Sequence, residues 1–284
     1  MRGLRVGAAP EPIVPLEEPP QLPVRICVLG GVSVRVNGTL VEDKRLRARR
    51  AKSFLAYLAS TRSHAVRRHE LMEAVWPECD YDSGLARIYQ STCTVRGEVR
   101  RIEFGLDPFV LNKKDGTIAL DESVVSCDVD EYREVATRAL ELEGSDEEII
   151  RLASRASELY TGDLYVPVSD ISGVMEMRRR ELRDMHADMM VGASEAAMRL
   201  GRTRMAARYA DNAMLVDGMR EDAMEALLRS YDACGRRPEA HVRYVSFVRQ
   251  LAEREGRPPS GRLRRLAEEL RGPDANGRHR HNAG

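Results

Sequence analysis

The chain has 284 residues and carries 45 Lys+Arg against 45 Asp+Glu, a formal net charge of zero. That length allows two ordinary domains, each with its own core, and the balanced charge excludes a protein basic throughout. No run of about 18 apolar residues suggests a membrane span, and the five cysteines (Cys27, Cys79, Cys93, Cys127, Cys234) show no CxxC and read as reduced thiols in a cytosolic protein.

The charge is unevenly placed. Residues 24–122 hold 17 basic and 13 acidic side chains, whereas residues 123–271 hold 24 and 28. Within the first half, residues 44–68 carry nine basic groups and no acidic one. Such a block attracts polyanions through its field.

The first 23 residues place prolines and glutamates where a signal peptide needs an apolar stretch, so they read as a disordered lead-in. RICVLG (25–30) and SVRVNG (33–38) read as short strands, and Asn37-Gly38 predicts a tight hairpin into TLVE. In LRARRAKSFLAYLAST (46–61), Ala51, Phe54, Leu55 and Leu58 line one helical face, with arginines at the entry. Cations at a helix N-terminus oppose its dipole, so an anionic partner would relieve Arg47, Arg49, Arg50 and Lys52. A brief extended piece, AVRR, leads into a helix over 68–76 that turns Leu71, Met72, Val75 and Trp76 inward and stops at Pro77.

A further helix is predicted over SGLARIYQSTCTVRGEVRRI, residues 83–102. Ile88, Thr92, Val95, Val99 and Ile102 recur at helical spacing on one face, and the opposite face carries Gln90, Cys93, Thr94, Gly97, Arg100 and Arg101. PFVLNKKDGTIAL (108–120) reads as two strands around a Lys-Lys-Asp-Gly turn. Strands, helix, short strand, two helices and a hairpin describe a winged helix-turn-helix. Its third helix would enter the major groove and its hairpin would lie beside the phosphates.

From Asp128 the pattern is almost wholly helical. Gly201 and Gly235 stand 34 residues apart and open similar phrases, GRTRMAARYADNAMLVD and GRRPEAHVRYVSFVRQL, with Ala206 aligned to Ala240. That period is the tetratricopeptide one, in which helix pairs stack into a concave surface. The expected fold is therefore an α+β winged helix-turn-helix domain (24–122) followed by an all-α tetratricopeptide-like domain (123–271). A disordered tail (272–284) follows, whose HRH triplet lacks the four ligands of a zinc site. The two halves are expected to be separable, with 24–122 folding alone.

RRAKSFLAYLAS, HELMEAVWPE and the helix at 83–102 resemble the OmpR-type winged helix of the Streptomyces antibiotic regulatory protein (SARP) family. DPFVLNKKDGTIALD followed by CDVDEYREV is similar to that family's junction into its bacterial transcriptional activator domain. ASELYTGDLYVP, the RRRELRDM helix and the segment from DGMREDAMEALL to LRRLAEEL resemble the second domain nearly end to end, so the likeness covers about residues 25–271.

The resemblance implies a cytoplasmic, sequence-specific transcriptional activator that binds tandem direct repeats of double-stranded DNA near a promoter and engages RNA polymerase. By position, Arg67 and Arg68 match the pair that meets phosphates at the start of the second helix. Arg87, Ser91, Thr94 and Arg96 match third-helix positions that reach bases or backbone, and Lys113 and Lys114 occupy the wing. With Arg49, Arg50, Gln90 and Arg101 these form the candidate DNA-contacting set. Ser91 and Thr94 are shorter than their counterparts in relatives often are, and Gly97 costs the helix about 1 kcal/mol relative to alanine.

No GxxxxGK[ST] phosphate loop occurs, so no nucleotide cofactor is expected. An enzyme finds little footing. His64 and His69 lack the His-Glu-x-x-His spacing, Cys93 has no neighbouring histidine in sequence, and Asp128 and Asp130 read as acids favouring a helix start. No metal site is expected either. The competing reading is a helical-repeat interaction protein whose winged helix no longer reads DNA.

Overall fold

The structure is a computed structural model that describes residues 22–46, 48–112, 114–166 and 173–271. The expected lead-in and tail fall almost wholly outside these residues, as does Lys113.

The chain opens with strands β1 (Val24–Cys27), β2 (Ser33–Val36) and β3 (Thr39–Leu40). The hairpin between β2 and β3 turns at Asn37 and Gly38, both at positive φ (48° and 79°), the backbone that an Asn-Gly pair adopts most readily. Helix α1 (Arg49–Ser60) starts three residues later than its pattern suggested, because Ala48 is still extended (ψ 137°). Then come β4 (Ala65–Arg67), α2 (Arg68–Val75), α3 (Tyr81–Ile102), β5 (Phe109–Asn112) and β6 (Thr117–Leu120). Strands β4, β6 and β5 form an antiparallel sheet in that order, so the expected wing hairpin gains Ala65–Arg67 as a third strand. Phe54 on α1 packs its ring 6.3 Å from Trp76 and 5.7 Å from Phe109, joining helices and wing in one core.

Strand β7 (Val125–Cys127) follows and pairs parallel with β1, giving the first sheet the order β3-β2-β1-β7. The first sheet is thus completed by residues beyond 122. Asp128, at the start of helix α4 (Asp128–Glu141), accepts hydrogen bonds from the Val28 and Leu29 amides at 2.9–3.1 Å. Gly30 and Gly162 touch so closely that a Cβ on Gly162 would lie 2.9 Å from Gly30 Cα. One continuous apolar cluster contains Ile26, Leu55, Tyr132, Met175 and Leu182, residues from both halves. The two halves expected from the charge and periodicity contrast thus share one core.

After α4 come α5 (Asp146–Leu159), α6 (Val174–Arg199), α7 (Thr203–Val216), α8 (Glu221–Ala233), α9 (Arg237–Glu255) and α10 (Gly261–Arg271). The 34-residue period is a physical repeat. Gly201 (φ 71°) donates to Met198 O while Arg202 donates to Ala197 O, and Gly235 (φ 74°) donates to Asp232 O while Arg236 donates to Tyr231 O. Each glycine takes the left-handed conformation that closes a helix end. The alanines after them, Ala206 and Ala240, are both buried where adjacent helices approach.

Candidate nucleic-acid interface

Helix α3 runs unbroken for 22 residues through Gly97. Asp80 caps it, accepting from the Ser83 amide at 2.8 Å, and that hydrogen bond holds the carboxyl below its ordinary range. The cap moves the helix start two residues ahead of the expected one. Ile88, Thr92, Val95 and Val99 are buried, whereas Ala86, Arg87, Gln90, Cys93 and Gly97 are exposed. At 100° per residue the exposed group spans one outward face, with Ser91 and Thr94 beside it.

From Ala86 to Gly97 this face bears no carboxylate. Arg87, Gln90 and Ser91 make no side-chain hydrogen bond or ion pair among the described residues, and the Thr94 hydroxyl donates to Gln90 O at 2.9 Å. Glu98 is buried and held by Arg45 at 2.9 Å and Arg101 at 2.8 Å, so Arg101 reaches the face already paired. Donors and acceptors with long reach next to short polar groups suit base edges in a major groove.

The remaining arginines divide by what they touch. Arg96 turns away from the outward face. Its Nε donates to Asp107 at 2.7 Å and its guanidinium lies 5.7 Å from the Phe109 ring, which binds α3 to the wing. Arg68 donates from its backbone to Gly116 O and from its side chain to Asn112 O, and lies 5.8 Å over the Tyr89 ring. It braces α2, the wing and α3 together. Arg50 donates to Val75 O and pairs with Glu78 at 2.8 Å, spanning α1 and the end of α2.

Arg49 and Arg67 are exposed and form no ion pair among the described residues. Arg67 lies opposite Thr117 in the wing sheet, and the Lys114 amide donates to Asn112 Oδ1 in the wing turn. Arg67 is thus on the wing sheet and Lys114 in the wing turn, whereas Arg49 opens α1. In physical terms, the sequence distinguishes the outward face of α3 but not a free arginine from a braced one.

A chain with a winged helix packed onto a helical array has counterparts. The family profile of the bacterial transcriptional activator domain matches residues 127–271, about half of the chain. The chain belongs to this family. A bacterial transcriptional activator domain after a winged helix-turn-helix is the SARP arrangement. No curated protein matches the sequence. Among solved structures, Mycobacterium tuberculosis EmbR in complex with a low-affinity phosphopeptide is similar, with a TM-score of 0.66 and 20% identity. The likeness covers 88% of this chain and 65% of that one, and at this identity it establishes the fold. No helix among the described residues is long and apolar enough to cross a membrane.

Proposed function

We propose that the chain is a sequence-specific DNA-binding transcriptional activator, cytoplasmic and without catalytic activity. It would bind direct repeats near a promoter, self-associate there and engage RNA polymerase through its helical domain. The observation that carries this reading is the outward face of α3, free of carboxylates from Ala86 to Gly97 and carrying the side chains of Arg87 and Gln90, which have no partner among the described residues. In this reading residues 24–122 supply the DNA contacts and residues 123–271 the protein contacts. Arg87, Gln90, Ser91 and Thr94 would meet bases or nearby backbone, Arg67 and Lys114 phosphates beside the wing, and Arg101 and Arg49 phosphates further out. Arg50, Arg68 and Arg96 keep a place in the interface as braces.

Binding to a selected pool of duplex sequences at two salt concentrations tests it. A binder neutralising several phosphates loses orders of magnitude of affinity between roughly 50 and 200 mM salt. Because four of the expected DNA arginines, Arg50, Arg68, Arg96 and Arg101, are engaged within the protein, the interaction-protein reading has an observation behind it. It would show as no duplex enrichment together with retained self-association.

A further inference from the structure

Three side chains of different chemistry converge where the winged helix meets the helical array. His64 lies in the turn between α1 and β4, Cys127 ends β7, and Asp130 is in the first turn of α4. A ring nitrogen of His64, the Cys127 Sγ and a carboxylate oxygen of Asp130 all lie within 4.8 Å of one another. His64 and Cys127 are buried, and Asp130 is open to solvent on one side.

The group is held in place from outside. His64 Nδ1 is 3.3 Å from Leu58 O, so an Nδ1–H donates there and Nε2 is the nitrogen turned to Asp130 and left to serve as the ligand atom. The backbone at His64 is left-handed (φ 48°), a conformation rare for a residue with a Cβ. His64 N donates to Thr61 O and His64 O accepts from Leu120 N, which fixes that turn from both sides. Arg133 stands 3.8 Å from Asp130 Oδ1, leaving Oδ2 directed at His64 Nε2, 2.7 Å away.

We infer that His64, Cys127 and Asp130 form a binding site for a zinc-like transition-metal ion, with a fourth position open to water on the Asp130 side. One imidazole, one thiolate and one carboxylate favour such an ion over calcium or magnesium, which take oxygen ligands. At ligand distances of about 2.0–2.2 Å, tetrahedral nitrogen and oxygen donors stand roughly 3.3 Å apart. The 2.7 Å separation of Nε2 and Oδ2 thus has to open by about 0.6 Å, which rotation of the half-exposed Asp130 carboxylate supplies. The ligands come from both sides of the junction, so a bound ion ties the winged helix to the helical array. Any ion that binds only the folded chain raises its unfolding temperature in a concentration-dependent way.

The test uses the full chain, stripped of metal and kept reduced without a thiol, titrated with cobalt(II). The expected result is a near-ultraviolet thiolate-to-cobalt charge-transfer band with visible absorption of four-coordinate cobalt, saturating at one ion per chain and displaced by zinc. Cys127→Ser should abolish the charge-transfer band, His64→Gln should weaken binding at least tenfold, and Cys93→Ser, at the exposed α3 thiol, should change neither. Metal-free circular dichroism and unfolding temperatures of the variants separate lost ligation from lost folding. His279 and His281 in the tail supply no thiolate, so cobalt held there gives no such band. Absence of the band in the parent, its persistence in Cys127→Ser, or parental affinity in folded His64→Gln overturns the site.

Discussion

Replacing Arg96 by alanine separates a brace from a base reader. The Arg96 side chain is only 19% exposed, donates to both Asp107 oxygens at 2.7 and 2.9 Å, and lies over the Phe109 ring. A hydrogen bond to a charged group contributes about 1.5–3 kcal/mol when sheltered. Asp107 is a third exposed and keeps the Phe109 amide at 3.0 Å and Arg100 at 3.3 Å, so the lower end applies. The contact with the ring adds about 0.5 kcal/mol at such a site. The expected loss is about 2 kcal/mol, a fall of roughly 4–8 °C in unfolding temperature. Trp76 is the single tryptophan and sits in the winged-helix core, so its fluorescence during urea unfolding reports this half of the chain. Below its unfolding transition the variant should weaken on all DNA sequences alike and keep the parent's base preference. An unchanged midpoint with relaxed preference at one base position would refute the brace and return Arg96 to the reading set.

Other perturbations have equally definite signs. A Cβ at Gly97 meets no atom within 4 Å, so Gly97→Ala should stabilise the protein by about 1 kcal/mol in urea unfolding. If DNA packs against this turn, the same change should lower DNA affinity, and a loss of stability would contradict the open space seen there. Residues 24–122 alone should fail to unfold cooperatively, since they lack β7 and the Asp128 carboxylate; a sharp urea transition would show that the sheet closes without them. His186 is buried against Tyr160, and burial, opposed in part by Asp163, lowers its pKa to about 4. The unfolded chain therefore binds the extra proton as pH falls from about 6.5 to 4, with up to about 3 kcal/mol of stability lost over that window. His186→Phe should flatten that slope, and an unchanged slope would assign the pH dependence to other groups.

What was legible in the sequence follows the range of the forces involved. The buried stripe of α3 and the 34-residue repeat rest on local periodicity and on two glycines, so both could be read. The Asn37-Gly38 hairpin was equally local. Strand β7 has only three residues and pairs with β1 about a hundred positions earlier, a contact that no local pattern marks. Arg87 and Arg96 stand on opposite edges of the buried stripe, each about a quarter turn from it. What separates them is Asp107, which reaches Arg96 only after the chain has turned from α3 into the wing. The His64, Cys127 and Asp130 group was hidden for the same reason, because its members come from a turn, a strand and a helix.

The most direct measurement is the affinity of the full chain, Arg87→Ala and Lys114→Ala for a selected duplex and its single-base variants at two salt concentrations. Arg87→Ala should cost about 1–3 kcal/mol and relax preference at one base position, because its unpaired guanidinium faces outward from α3. Lys114→Ala should weaken every sequence similarly and flatten the salt slope by about one unit. If both variants bind every sequence as the parent does, α3 does not face DNA and the interaction-protein reading replaces it.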